Sequence, residues 1–313
     1  MPTPYNAVAP FVNPSPTSGT YAVNIYTGYA DFRPPPPLAF KKPARKPAKQ
    51  LSENLAALIP RGNRKAISEF SKPSKRNFLK KIFSLSVLPD LFITLTYPGS
   101  YTYDRKDSKA WKRNLDNFVH AFRRQFPDSW FFWKLEPQRR GAPHFHLVGS
   151  LGVRVNIVLL RKFIAETWFR VVGSGDVKHL QAGIQADFVN DSFGKVKRYV
   201  CKYVSKISAT DPAWAAPGRW WGIVGRDKLP SSPCCHVLLT EDTFFKLRRL
   251  VRKWMAHLRT SAGYSKRLRK LASFFVLADH RHILAQLEFT IGFSLAMETL
   301  SHSVFDLSQP APF

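Results

Sequence analysis

The chain has 313 residues and a formal net charge of +27, with 48 Lys and Arg against 21 Asp and Glu. That length suffices for one sizeable catalytic domain with appendages. A basic excess of this size points to nucleic acid or an anionic membrane surface as partner. No apolar run is long enough to span a bilayer; the most hydrophobic late stretch, residues 271–300, is interrupted by Asp279, His280, Arg281, His282 and Glu288. The N-terminus has no charged segment leading into an apolar core, so no secretory signal is expected. Nucleic acid is therefore the expected partner, with no membrane, and the cytoplasm the expected compartment. Cys201, Cys234 and Cys235 form no Cys-x-x-Cys pair, which argues against a zinc ribbon or a disulfide scaffold.

Residues 1–60 read as a disordered tail, rich in proline (Pro34 to Pro37 in a row) and then in Lys and Arg, a composition that buries too little apolar surface to order itself. Ser74 is placed to cap a helix with Phe78, Ile82 and Phe83 inward. Leu91 to Tyr97 reads as a strand ended by Pro98-Gly99, with Phe92, Thr94 and Thr96 on one face. Ser108 opens a long helix with Trp111, Leu115, Phe118 and Phe122 as its apolar stripe. Trp130 to Glu136 and Pro143 to Ser150 form a hairpin across a basic turn. Asn156 caps a helix closed by Gly173. A strand over residues 184–188 and a helix over residues 191–208 follow. A loop from Gly218 to Arg226 leads to a strand near His236. Two helices, over residues 244–259 and from 264 to about 300, end the chain. Residues 61–240 are thus expected to form the catalytic domain and 241–313 a basic helical C-terminal region. The fold class is α+β: a mainly antiparallel sheet with flanking helices.

Two motifs carry chemistry. Pro143-His-Phe-His-Leu147 sets two imidazoles on one face of a strand, because alternate side chains share a face. Glu136 ends the neighbouring strand, so Glu136, His144 and His146 are able to converge on a divalent cation and leave positions open for water or a phosphate oxygen. Tyr199-Val-Cys-Lys-Tyr-Val-Ser-Lys206 has helical spacing. Tyr199 and Tyr203 lie one turn apart with Lys195, Lys202 and Lys206 on their side, while Val196 and Val200 point to a buried face. A phenol ionises near pH 10, so neighbouring cations would favour the attacking phenolate. Attack on a phosphodiester then gives a 5′-phosphotyrosine and a free 3′ hydroxyl, a step that can be reversed to rejoin strands.

Together these motifs resemble those of the HUH endonucleases, and in particular the two-tyrosine rolling-circle replication initiators of single-stranded DNA phages and bacterial plasmids. Phe92-Ile-Thr-Leu-Thr-Tyr-Pro98 resembles the first motif of that family. Pro143-His-Phe-His146 resembles its two-histidine motif, and Tyr199 to Lys206 its two-tyrosine motif. Histidines precede tyrosines, as in initiators; conjugative relaxases usually have the reverse order. The similarity covers about residues 91–226.

The resemblance implies a four- to five-stranded antiparallel sheet of the RRM-like palm type, with the histidines on a central strand. It implies Mg2+ or Mn2+ at His144 and His146, with Glu136 as third ligand. Tyr199 and Tyr203 become alternating nucleophiles, aided by Lys202 and Lys206. Thr94 and Thr96 would lie beside the site; Arg139, Arg140, Lys195, Trp220, Trp221 and Arg226 are DNA-contact candidates. The partner would be single-stranded DNA at a replication origin in a bacterial host cell. A host polymerase would extend the 3′ end, and a host helicase would unwind, since no Gly-x4-Gly-Lys-Ser/Thr loop is present. A two-tyrosine transposase or a relaxase would use the same chemistry. A non-enzymatic single-strand-binding or packaging protein would account for the charge, but not for the convergence of Glu136, His144 and His146.

Overall fold

A computed structural model describes residues 21–35, 67, 69–99, 108–138, 140–189, 193–205, 217–261, 274–291 and 304–307. The chain divides into two units, one formed by residues 1–50 with 234–313 and the other by residues 51–233. Each is α+β.

Residues 21–33 correct the tail expectation. They form a hairpin of β1 (Tyr21–Tyr26) and β2 (Tyr29–Arg33), paired from Ala22 with Arg33 to Tyr26 with Tyr29. No proline falls between Tyr21 and Phe32, and Val23, Ile25, Ala30 and Phe32 alternate into a hydrophobic core. Averaged over sixty residues, the flanking prolines hide that alternation.

The unit of residues 51–233 begins with α1 (Lys72–Phe83). Its cap is Ser71, whose Oγ accepts from Ser74 N at 3.3 Å, so the helix starts earlier than expected. Pro73 is harmless in a first turn because the amide it lacks would have no helical partner there. The Ser74 hydroxyl instead accepts the Trp221 indole N–H, at 2.8 Å. Next come β3 (Leu91–Thr96), α2 (Ser108–Gln125), β4 (Trp130–Pro137) and β5 (Pro143–Ser150). Helix α3 (Ile157–Val172) is capped by Asn156 and closed by Gly173 at φ 63°, as its sequence predicts. A short α4 (Val177–Ala182), not anticipated, is capped by Asp176 and leads to β6 (Ile184–Phe188) and α5 (Phe193–Ser205). The expected loop around Trp221 is in fact an edge strand, β7 (Trp221–Val224), paired with Phe131 to Lys134 of β4. The strand order is β6-β3-β5-β4-β7 with every neighbour antiparallel, so the His-x-His strand is central.

Helices cover both faces of this sheet. On one, Phe122 of α2 meets Phe131 at a centroid distance of 5.3 Å and Trp168 of α3 meets Tyr97 at 5.2 Å. On the other, Phe78 of α1 meets Phe132 at 6.1 Å and Tyr199 of α5 meets Phe92 at 4.0 Å. The second face also carries Thr94 and Thr96, which share parity with Phe92; Lys134 and Glu136, which share parity with Phe132; and His144 and His146, which cross-strand register sets between them.

The strand β8 (Cys234–Leu239) belongs to the other unit and not to the domain of the histidines. It pairs antiparallel with β1. Helix α6 (Glu241–Ser261), β9 (Phe274–Leu277), α7 (His280–Ile291) and β10 (Val304–Leu307) complete that unit. Its sheet runs β10-β8-β1-β2-β9, with β10 parallel to β8. The C-terminal region is therefore not purely helical: β9 extends the N-terminal hairpin, and its pairing with β2 lies far outside the reach of helical periodicity. Phe244, Leu247 and Val251 of α6 pack with Ile283 and Leu287 of α7 on this sheet. Among the described residues, no helix is long and apolar enough to cross a membrane.

Candidate functional site

Register builds the site. Thr94 lies opposite His146, which lies opposite Lys134; Thr96 lies opposite His144, which lies opposite Glu136. Three strands thus bring six polar side chains to one face in two adjacent rows. Sequence spacing alone pairs the histidines; only the β3-β5-β4 order sets threonines on one side of them and a Lys and a Glu on the other.

The threonines anchor the imidazoles. Thr96 Oγ1 is 3.0 Å from His144 Nδ1 and Thr94 Oγ1 is 3.2 Å from His146 Nδ1. A hydroxyl both donates and accepts, so each threonine suits either tautomer of its histidine. A partner at Nδ1 is the kind of contact by which outer-shell groups orient histidines that bind a metal through Nε2. The two rings stand nearly perpendicular, 82° apart, at a centroid distance of 4.5 Å. Gln138 Nε2 also lies 3.4 Å from His144 Nδ1. The two threonines, expected beside the site, each stand within hydrogen-bond distance of an imidazole.

Behind Thr96 the backbone is pinned. Its carbonyl accepts from Trp168 Nε1 at 2.8 Å and from His179 Nε2 at 2.9 Å, and the His179 Nδ1 meets Ser174 Oγ at 2.8 Å. The Thr96 amide donates to Gly183 O at 2.8 Å. His179 was not singled out from sequence, since a lone His carries no spacing signal; Trp168 reads from its helical spacing as apolar packing, and its N–H contact to β3 adds to that.

Glu136 Oε2 lies 3.2 Å from His146 Nε2 and 3.5 Å from Lys134 Nζ. The donor chemistry of His144 and His146 fits a divalent cation: two imidazoles, each tied down at Nδ1, on one strand face. The carboxylate is near one imidazole but also engaged by the lysine. Among the described residues, no three His, Cys, Asp or Glu side chains stand around a common ion-sized point.

Tyr199 is half-buried on α5 and lines a cleft with Thr94, Lys134 and His146. Val196 and Val200 are buried, as the helical spacing predicts. Tyr203 follows one turn later on α5; its side chain, Lys206 and Arg139 lie outside the described residues. Lys195 and Lys202 are exposed. Burial pushes the Cys201 thiol up, opposed by the Lys197 charge, and lowers Lys197. Burial also raises Cys234 to about 11 and Cys235 to about 12. All three cysteines are free, and thiols raised in this way are poor nucleophiles.

The outer candidates divide. Arg140 donates to the carbonyls of Tyr97 (2.6 Å), Pro98 (2.7 Å) and Gly99 (3.0 Å), and to Gln138 Oε1 (3.0 Å). It ties the β4-β5 turn to the end of β3. Trp220, named from sequence as a DNA-contact candidate, is only 3 % exposed and is a packing residue here. Trp221 packs edge-on against Phe78 at 5.3 Å with its N–H held by Ser74. Arg226 is exposed on the turn after β7.

Residues 90–208, which run from β3 through the tyrosine helix, match the family described as Replication-associated protein ORF2/G2P. A replication-associated protein G2P of Pseudomonas phage Pf3 is 26% identical over 156 residues, covering 47% of this chain. The chain spans about half the length of that relative, 54%. The family match encloses Thr94, Thr96, Glu136, His144, His146, Tyr199 and Tyr203, so the stretch of this chain that builds the site is the stretch that is similar to replication-associated proteins.

Proposed function

We propose that this protein starts rolling-circle replication by nicking and rejoining single-stranded DNA through a 5′-phosphotyrosine. The observation that carries the reading is a pair of histidines, each within hydrogen-bond distance of a threonine on one sheet face, with His146 of that pair lining a cleft together with Tyr199. The similarity to replication-associated proteins over residues 90–208 supports it, as does the basic balance of the chain.

In this mechanism His144 and His146, with Glu136 as third ligand, would hold Mg2+ or Mn2+. The bound ion would supply Lewis-acid stabilisation of the phosphate oxygens. Thr94 and Thr96 fix ring orientation. The Tyr199 oxygen attacks phosphorus in line with the departing 3′ oxygen, and Tyr203 serves a second cleavage while the first tyrosine is occupied. The substrate is single-stranded origin DNA; a host polymerase extends the 3′ end, a host helicase unwinds, and the compartment is the bacterial cytoplasm.

The test is incubation with labelled single-stranded origin DNA and Mn2+. A covalent adduct is expected that chelator abolishes and that disappears in the Tyr199→Phe/Tyr203→Phe double variant. An adduct that survives the double substitution refutes the nucleophile assignment. Tight binding with no adduct favours a binding or packaging role.

A further inference from the structure

The lysines of helix α5 and the lysine of the sheet stand in different surroundings. Lys195 and Lys202 are exposed, whereas Lys134 is 1 % exposed and projects from β4 opposite His146. Its ammonium lies 3.5 Å from Glu136 Oε2 and 5.5 Å from the centre of the Phe70 ring. It lines the same cleft as Thr94, His146 and Tyr199. An apolar side chain would fill that strand position without the desolvation that a buried ammonium incurs. A cation kept there, beside the Glu136 carboxylate, a tyrosine and one imidazole, is placed to meet an anion that enters the cleft.

We propose that Lys134 is a catalytic residue whose ammonium binds a non-bridging oxygen of the scissile phosphate. This rests on the nickase reading and adds the group that holds the reacting phosphate. As the Tyr199 Oη–P bond forms, the P–O3′ bond breaks. The phenolic proton passes to solvent and the departing 3′ oxygen takes a proton from solvent; Lys134 donates a charge-assisted hydrogen bond throughout and exchanges no proton. Negative charge on the phosphoryl oxygens is greatest in the transition state, so a fixed cation lowers the barrier more than it tightens binding. The exposed lysines of α5 are left to hold flanking phosphates.

The experiment uses the full chain, a labelled single strand and Mn2+, with single-turnover adduct formation as readout. Lys134→Met, which keeps an unbranched chain beside Phe70, is expected to slow adduct formation at saturating strand by about 10²–10³-fold. Strand affinity in chelator should stay within about threefold, because the loss falls on the transition state. Lys134→Arg should recover part of the rate, since it keeps the charge. A Lys134→Met rate within about threefold of wild type, or a loss confined to affinity, overturns the proposal while leaving the nickase reading intact. Absence of any adduct with the wild-type protein removes both. Should Lys134→Met fail to fold, the wild-type chain decides. Borohydride trapping of an abasic aldehyde placed beside the scissile phosphate should label Lys134, and labelling confined to other lysines overturns the assignment.

Discussion

Replacing Thr96 by Val tests whether the threonines orient the histidines or touch DNA. Val is close to Thr in shape but has no hydroxyl, so the change removes the 3.0 Å contact to His144 Nδ1 and leaves the β3 backbone bonds in place. His144 is half-buried, so loss of one net hydrogen bond should lower stability by only about 1 kcal/mol. The functional effect should be larger. Outer-shell partners of metal-bound histidines are worth about 10–100-fold in metal affinity or activity, which corresponds to about 1.4–2.7 kcal/mol. Mn2+ titration followed by electron paramagnetic resonance should show that weakening in Thr96→Val and in Thr94→Val, with single-strand affinity in chelator unchanged. Adduct formation should recover as Mn2+ is raised, because the ligands themselves remain. Mn2+ affinity within twofold of wild type, or a loss of strand binding in its place, would refute the anchoring role and return the threonines to the DNA surface.

Gly149 on β5 has no room for a methyl group: a Cβ there would meet the Trp130 carbonyl oxygen and, at 2.8 Å, the Phe131 Cα. Backbone atoms cannot swing aside, so Gly149→Ala should cost about 3 kcal/mol in denaturant unfolding; a loss below about 1 kcal/mol would contradict the register. His236 is buried beside Asn24 and Arg33, and burial, then the Arg33 charge, lower its pKa from the ordinary 6.5. A histidine held neutral in the fold disfavours acid, because the unfolded chain takes up the proton first. Stability of the unit that holds it should therefore be complete above about pH 6.5 and fall as pH drops below the unfolded value; His236→Gln should flatten that segment of the profile, and an unchanged slope would exclude His236 as its source. Strand affinity should fall steeply with salt, by a logarithmic slope of about −0.7 for each phosphate contacted, and a flat response would separate the +27 charge from nucleic-acid binding.

What could be read from sequence was local. The period of two in Pro143–Leu147 put both imidazoles on one face, and the β-branched and aromatic run at Leu91–Thr96 made a strand whose threonines share parity. Helix α3 carried its own punctuation in Asn156 and Gly173. The stripe of Val196 and Val200 fixed which side of α5 is buried. Each of these depends on neighbours within a turn or a pleat.

The remaining features depended on partners far along the chain. The hairpin Tyr21–Arg33 is stable as part of a sheet because Cys234–Leu239 pairs with it, some two hundred residues later. Phe274–Leu277 is a strand because it extends β2. Lys134 is the clearest case: it lies between Trp133 and Leu135 on a strand and nothing local marks it. Burial by the surrounding fold and cross-strand register turned it into a charge inside the cleft. The sequence by itself settled which residue types share a face, because pleat and helix pitch are properties of the backbone. The tertiary structure alone decided which faces meet, because strand order and register are chosen by the total burial of many distant side chains at once.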